Sequence, residues 1–400
     1  MYKSVSSVFR KKKAIPLFFL IVIVSFLSLS GSSQVITGSE RTELYYPLLK
    51  NKTIGIVANN ASVINGRNII DTLLSMGLEI KKIFAPEHGF RMSEEAGQSV
   101  KNTIDSSTRI PVISLYGKKK KPDKEDLKDI DIVVFDLQDV GVRFFTYIST
   151  LSYIMESCAE NNTPVLLFDR PNPNAFYIDG PVVDSAHVSF VGMHPVPVVY
   201  GMTIGEYAVM VNEEGWLSNG VICELNIIPM ENYTHSTPYQ FPVKASPNLT
   251  SMNAVYLYPS LCFFEGTIVS VGRGTDHPFT VFGHPALKGF IFSFKPQKMP
   301  GMSSNPLYKD EVCFGMDLSD FYKTHPKMSG RINLSWLFMA FKNLGSQPSF
   351  FNDYFDKLAG NSLLREQIIL DIPENEIRET WESGLTEFRN IRNKYLIYPE

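Results

Sequence analysis

The sequence predicts an α/β fold, with a parallel sheet covered by helices over residues 45–230 and a smaller α+β domain over 231–400. Three observations carry this. From Thr53 to about Arg170, short apolar β-rich runs alternate with segments of helical spacing. The runs are apolar almost throughout, as strands buried on both faces should be. Composition then changes near residue 230, where Pro229, Pro238, Pro242, Pro247 and Pro259 break the following stretch into extended or looped pieces.

The expected strands are Ile54 to Ala58, Ile80 to Ala85, Val112 to Leu115, Ile132 to Leu137 and Val165 to Phe168. Between them, Ile69, Ile70, Leu73 and Leu74 mark one helix face, and Ile148, Leu151, Ile154, Met155 and Cys158 mark another at steps of three and four. A helix is expected from Met202-Thr203 to about Asn212, then a strand at Cys223 to Ile228. Beyond the boundary, Tyr256 to Phe264 and Phe290 to Phe294 suggest strands. Ile332 to Leu344 and the series Ile377, Trp381, Leu385, Phe388, Ile391 suggest helices. The charge run Lys118 to Lys121 reads as a solvated loop before a helix at Asp123.

The chain has 400 residues, 44% hydrophobic and 20% charged, a composition that excludes disorder, collagen and a multi-span membrane protein. Residues 1–33 read as a secretory signal peptide. Arg10-Lys11-Lys12-Lys13 precedes an apolar run from Ala14 to Leu29 and the small residues Ser30 to Ser33. That run is shorter than the roughly 20 residues needed to cross a bilayer core, so no stable membrane insertion is expected once the leader is removed. The expected location is outside the cytoplasm, periplasmic or secreted. Of 38 Lys+Arg, five lie in the leader, leaving 33 against 41 Asp+Glu, a net of −8. A surface of that charge does not suit nucleic acid. Cys158, Cys223, Cys262 and Cys313 are spaced too widely for a zinc motif and read as buried thiols, or at most one bridge.

Polar residues with chemical potential follow the strands directly: Asn59 and Asn60, Pro86-Glu87-His88-Gly89, Asp136-Leu137-Gln138-Asp139, and Asp169-Arg170-Pro171-Asn172. In an open parallel sheet, ligands bind in the crevice outside the carboxyl ends of the strands, so four loops converge on one cleft. A dinucleotide would need a glycine-rich turn after the first strand, where Ala58-Asn59-Asn60-Ala61-Ser62 stands instead. There is no phosphate-binding loop and no Gly-x-Ser-x-Gly elbow. No cofactor is expected. His88, His277 and His284 show no metal-ligand spacing, so no metal is expected either.

These segments resemble one family. The resemblance rests on Ala85-Pro86-Glu87-His88-Gly89-Phe90, the run Phe135 to Tyr147 with its Asp-Leu-Gln-Asp, Asp169-Arg170-Pro171-Asn172-Pro173, Ser246-Pro247-Asn248, and Glu265-Gly266-Thr267 with Gly272-Arg273-Gly274-Thr275. They look like the NamZ-type exo-β-N-acetylmuramidases, and the resemblance covers about residues 45 to 400. It implies a Rossmann-like domain beside an auxiliary domain with the cleft between them. It also implies hydrolytic release of N-acetylmuramic acid from the non-reducing ends of peptidoglycan fragments, the partners being disaccharides or muropeptides. The departures are a first loop matching only at Asn59, and Ile268 and Val271 in place of an Asn and a Glu.

Glycoside hydrolysis needs a proton delivered to the leaving oxygen and a second group that serves the anomeric centre. Glu87, which matches the family's proposed catalytic Glu, is the expected acid/base; otherwise it caps a helix or pairs with Arg91. Asp136, Asp139, Asp169 and Glu265 are open as the second carboxylate, with Asp136 and Asp169 taken beside Glu87 as the catalytic set. The sugar's own 2-acetamido group is an alternative to a protein nucleophile. The lactyl carboxylate of muramic acid suits a guanidinium, from Arg143, Arg170 or Arg273, unless these form ordinary salt bridges. Asn59, His88, Asp139, Asn172, Glu265 and His277 complete the expected substrate contacts. Phe144 and Tyr147 are expected to pack at a helix start rather than stack on sugar. A non-catalytic muropeptide-binding protein using the same cleft is the alternative.

Overall fold

In the computed structural model, seven strands form one sheet: β1 Thr53–Ala58, β2 Glu79–Ala85, β3 Thr103–Ile104, β4 Pro111–Ser114, β5 Ile132–Asp136, β6 Val165–Phe168 and β7 Leu225–Ile228. Their spatial order is β3-β4-β2-β1-β5-β6-β7. All neighbours are parallel except the β3–β4 pair at the edge. The structure describes Met1 and residues 34–91, 102–325 and 330–400. The expected leader lies outside the described residues. Residues Val35–Glu400 form one compact unit.

The continuous apolar runs became the central strands because both sheet faces are covered. Ile54, Ile56, Val57 and Ala58 of β1 and Val133, Val134 and Phe135 of β5 are fully buried. One face packs with the helix Ile69–Ser75, and the other joins a large core that also takes in the helix Tyr147–Glu160 and the C-terminal helices. After β1 the chain builds one half of the sheet through β2 and β4, then returns to the other side of β1 with β5. That reversal opens a crevice between the ends of β1 and β5, where Ala58 pairs with Asp136.

β7 closes the large sheet at Ile228. A small antiparallel sheet follows, β8 Val281–His284, β9 Phe292–Phe294 and β10 Cys313–Asp317, in the order β8-β10-β9. The C-terminal helices include Ser335–Asn343 and Glu382–Arg392. The expected strand from Tyr256 to Phe264 is instead the helix Met252–Leu261, extended by a 3-10 turn Cys262–Gly266. Ser251 caps its start by accepting from the Ala254 N–H at 3.2 Å. Most of the segment's residues are buried, so no polar face marks its helical period, and Pro259 sits inside it rather than breaking it.

The lysine run is not simply solvated. Lys119 pairs with Asp123 and Asp126 at 2.6 and 2.5 Å, Lys121 with Glu156 and Glu160 at 3.2 and 2.7 Å, and Lys120 lies 4.2 Å over the Phe190 ring. The four cysteines are buried and unpaired. Among the described residues, no helix is long and apolar enough to cross a membrane.

Candidate active site

A cavity of about 430 Å³ opens at the carboxyl edge of the sheet. Glu87 and His88 enter it from the loop after β2. This loop is a tight turn, closed by the Gly89 N–H donating to the Pro86 carbonyl at 2.9 Å. His88 and Gly89 both have positive φ, 71° and 75°, the geometry that turns the chain back at once. Arg91 does not pair with Glu87. Its guanidinium meets Asp105 at 2.5 Å, which leaves the Glu87 carboxyl in the cavity wall.

Two hydroxyls face that carboxyl. Thr146 Oγ1 donates to Glu87 Oε2 at 2.8 Å. The Tyr116 hydroxyl also hydrogen-bonds Glu87; burial, followed by the charge and hydrogen bond of Glu87, pushes this phenol well up. Beside Thr146, the Tyr147 hydroxyl accepts from Asn59 Nδ2 at 2.8 Å and donates to the Ala245 carbonyl at 3.3 Å. Asn59 therefore stands behind the wall, holding Tyr147, rather than in it.

Glu265 and Arg273 line the cavity from residues following the large sheet. Arg273 Nε donates to Glu265 Oε1 at 2.6 Å, and the guanidinium carbon lies 5.0 Å from the Phe279 ring centre. Gly272 and Gly274 on either side have φ of 76° and 81°. A Cβ at Gly272 would come within 2.5 Å of Val281, so this turn requires glycine. The terminal nitrogens of Arg273 make no hydrogen bond to any described residue. Phe144, Phe145, Tyr147, Tyr258 and Phe279 form an edge-to-face aromatic floor, with Phe144 5.5 Å from Tyr258 and Tyr258 4.9 Å from Phe279. Phe144 and Tyr147 thus both pack as expected and line the cavity. Phe190, Val191, Ser246, Asn248, Leu249, the segment 302–305 and Tyr354 complete the wall.

The other expected site residues lie elsewhere. Asp136 and Arg170 form a buried bidentate pair, Nε to Oδ1 at 2.5 Å and Nη2 to Oδ2 at 2.8 Å, and each is spent on the other. Asp169 accepts from the N–H groups of Arg170 and Gly205 and from the hydroxyls of Thr203 and Tyr398, at 2.7–2.9 Å. Burial, with Glu206 adding, pushes its carboxyl up to about 7. Asp139 takes the Tyr200 hydroxyl and the Gly141 N–H, and burial pushes it up to about 6. Arg143 is fully buried and donates to the carbonyls of Pro181, Val196, Leu358 and Ala359. Burial pushes its guanidinium down to about 9. Asn172 donates to the Met202 carbonyl at 2.7 Å. His277 is exposed and outside the cavity wall. None of these seven residues lines the cavity, because each is committed to partners inside the fold or lies on its surface.

Among the described residues, Glu87 and Glu265 are the carboxylates in the wall and Arg273 its guanidinium. No cluster of three metal-ligating side chains occurs among them. Sequence reasoning missed Tyr116, Thr146, Tyr258 and Tyr354 as site residues. Thr146 stood inside the quoted run Phe135 to Tyr147, and position in that run was its one available signal.

The profile described as Exo-beta-N-acetylmuramidase NamZ, N-terminal, matches residues 54–253, and its C-terminal counterpart matches residues 256–398. The chain is 35% identical over 379 residues to the peptidoglycan beta-N-acetylmuramidase NamZ of Bacillus subtilis (strain 168), covering 88% of this chain and 89% of that protein. Two crystal structures of DUF1343 family proteins from Bacteroides fragilis NCTC 9343 are similar. One has a TM-score of 0.85 at 42% identity over 92% of this chain and all of its own, and the other 0.76 at 30% identity over 91% and 99%. With the two profiles meeting end to end across nearly all of the described chain, the protein belongs to the NamZ exo-β-N-acetylmuramidase family.

Proposed function

We propose that this protein is an exo-acting glycoside hydrolase that releases N-acetylmuramic acid from the non-reducing end of peptidoglycan fragments, with Glu87 as the acid. Family membership supports the reaction, and a carboxyl in a wall that also offers a guanidinium supports the residue. The proton on Glu87 passes to the bridging oxygen as the glycosidic bond breaks, and positive charge develops at the anomeric carbon. Glu265, the other wall carboxylate, is available to that charge.

Arg273 is the guanidinium left to meet the lactyl carboxylate, since Arg143 and Arg170 are consumed within the fold. Its Nε is fixed on Glu265, so the planar head is preoriented and its terminal nitrogens can take a carboxylate side by side. The aromatic floor offers apolar surface to a sugar face. The basic, then apolar, then small-residue order of the first 33 residues supports export to where such fragments occur.

The test is hydrolysis of a chromogenic β-N-acetylmuraminide against the matching N-acetylglucosaminide, which lacks the lactyl group. Release from the muraminide alone is expected. Equal rates on both, or binding of muropeptides with no product by mass spectrometry, would contradict the reading.

A further inference from the structure

The helix Tyr147–Glu160 begins at Thr146, a residue type that ordinarily caps a helix by accepting an N–H of the first turn. Thr146 makes no such bond. Its backbone is helical, φ −72° and ψ −1°, rather than extended as cap residues usually are. Its hydroxyl turns out of the helix and donates to Glu87 Oε2 at 2.8 Å. The segment beneath it is fixed: the Thr150 N–H donates to the Thr146 carbonyl at 2.9 Å, and the next residue, Tyr147, is held by Asn59 at 2.8 Å and by the Phe145 ring at 4.7 Å. A hydroxyl diverted from a cap and mounted on a rigid base has been given to the cavity.

We propose that Thr146 is a positioning residue for Glu87, orienting its carboxyl in the cavity and facing the charge that proton transfer leaves on it. The inference rests on Glu87 being the acid. A hydroxyl mounted on the rigid start of the helix and bonded to Oε2 holds the carboxyl in one orientation towards the cavity. In the chemical step the carboxyl O–H bond breaks as a bond forms between that proton and the glycosidic oxygen, which keeps the electron pair of the broken C–O bond. The O–H electron pair stays on the carboxylate, whose charge the Thr146 and Tyr116 hydroxyls already face. No reorganisation is needed when the charge appears. Asn59 acts one step further back, through Tyr147.

The test compares Thr146→Val, which keeps the shape and removes the donor, with Thr146→Ser, which keeps the donor. In Thr146→Val, kcat should fall about 10- to 100-fold with KM changed by less than about threefold. Thr146→Ser should keep kcat within about threefold of the parent. Both variants should melt close to the parent, since no cap bond is lost. Thr146→Val with the parent's kcat would overturn the proposal. So would a Thr146→Val defect that Thr146→Ser shares in full and that tracks a lowered melting temperature, the mark of a structural role. Glu87→Gln is assayed alongside: full activity there would overturn the acid assignment itself, whereas an inactive Glu87→Gln beside a fully active Thr146→Val would overturn the role of Thr146 alone.

Discussion

Arg143 gathers four backbone carbonyls with its two terminal nitrogens, two from nearby loops and two from Leu358 and Ala359 more than two hundred residues away. It clamps the C-terminal helices onto the sheet portion. Arg143→Met fills much of the volume but strands those carbonyls in a dry interior, and should cost more than about 3 kcal/mol of unfolding free energy, read from urea titration. Arg273 differs, because it is in the cavity wall and its head is only partly committed. Arg273→Lys keeps the charge and loses the planar fork. It should raise KM for a muraminide about tenfold or more while leaving the melting temperature nearly unchanged. An unaltered KM would remove Arg273 as the holder of the lactyl group. From sequence, three arginines beside the cleft were equivalent. What separates them is whether carbonyls or a carboxylate from distant segments already occupy the guanidinium, and residue type does not encode that.

At the scale of elements, strand ends were legible and their side chains' duties were not. β1, β2, β4, β5 and β6 fall within one or two residues of expectation, because strands buried on both faces leave an unbroken apolar signature. The loop after β2 delivers Glu87 to the cavity as expected. The loops after β5 and β6 turn their acids inward, where Arg170, Tyr200 and Tyr398 meet them. A carboxylate following a strand looks the same whether it faces a ligand or locks a neighbouring loop. The helix Ile204–Glu213 shows how tight the lock is, since its Gly205 sits against Asp169. A Cβ there would lie 2.7 Å from the Asp169 carboxyl carbon. Gly205→Ala should therefore destabilise by about 2 kcal/mol or more, whereas an exposed helical Gly→Ala usually stabilises. A neutral or positive change in the denaturation midpoint would show that the helix can shift away.

At the scale of the molecule, two buried carboxyls make stability depend on pH. Burial raises Asp139 to about 6 and Asp169 to about 7, while both return to about 3.9 in the unfolded chain. Between those values the native state holds protons that the unfolded state has released. Their contribution is fully present below about pH 4 and is lost as pH rises towards 7. Asp139→Asn imitates the protonated form: its carbonyl can still accept from Gly141 and Tyr200, and its amide takes the place of Oδ1, which has no partner. The variant should lose less stability than the parent between pH 5 and pH 7 in paired urea titrations, and it should keep its activity, since Asp139 is outside the cavity. Parallel losses in the two proteins would contradict this. The proposed hydrolysis turns on Glu87, and the most direct measurement is kcat of Glu87→Gln on a β-N-acetylmuraminide beside its melting temperature. The expected result is a loss of at least about a hundredfold in rate with the melting temperature held. Full turnover by that variant would contradict the account.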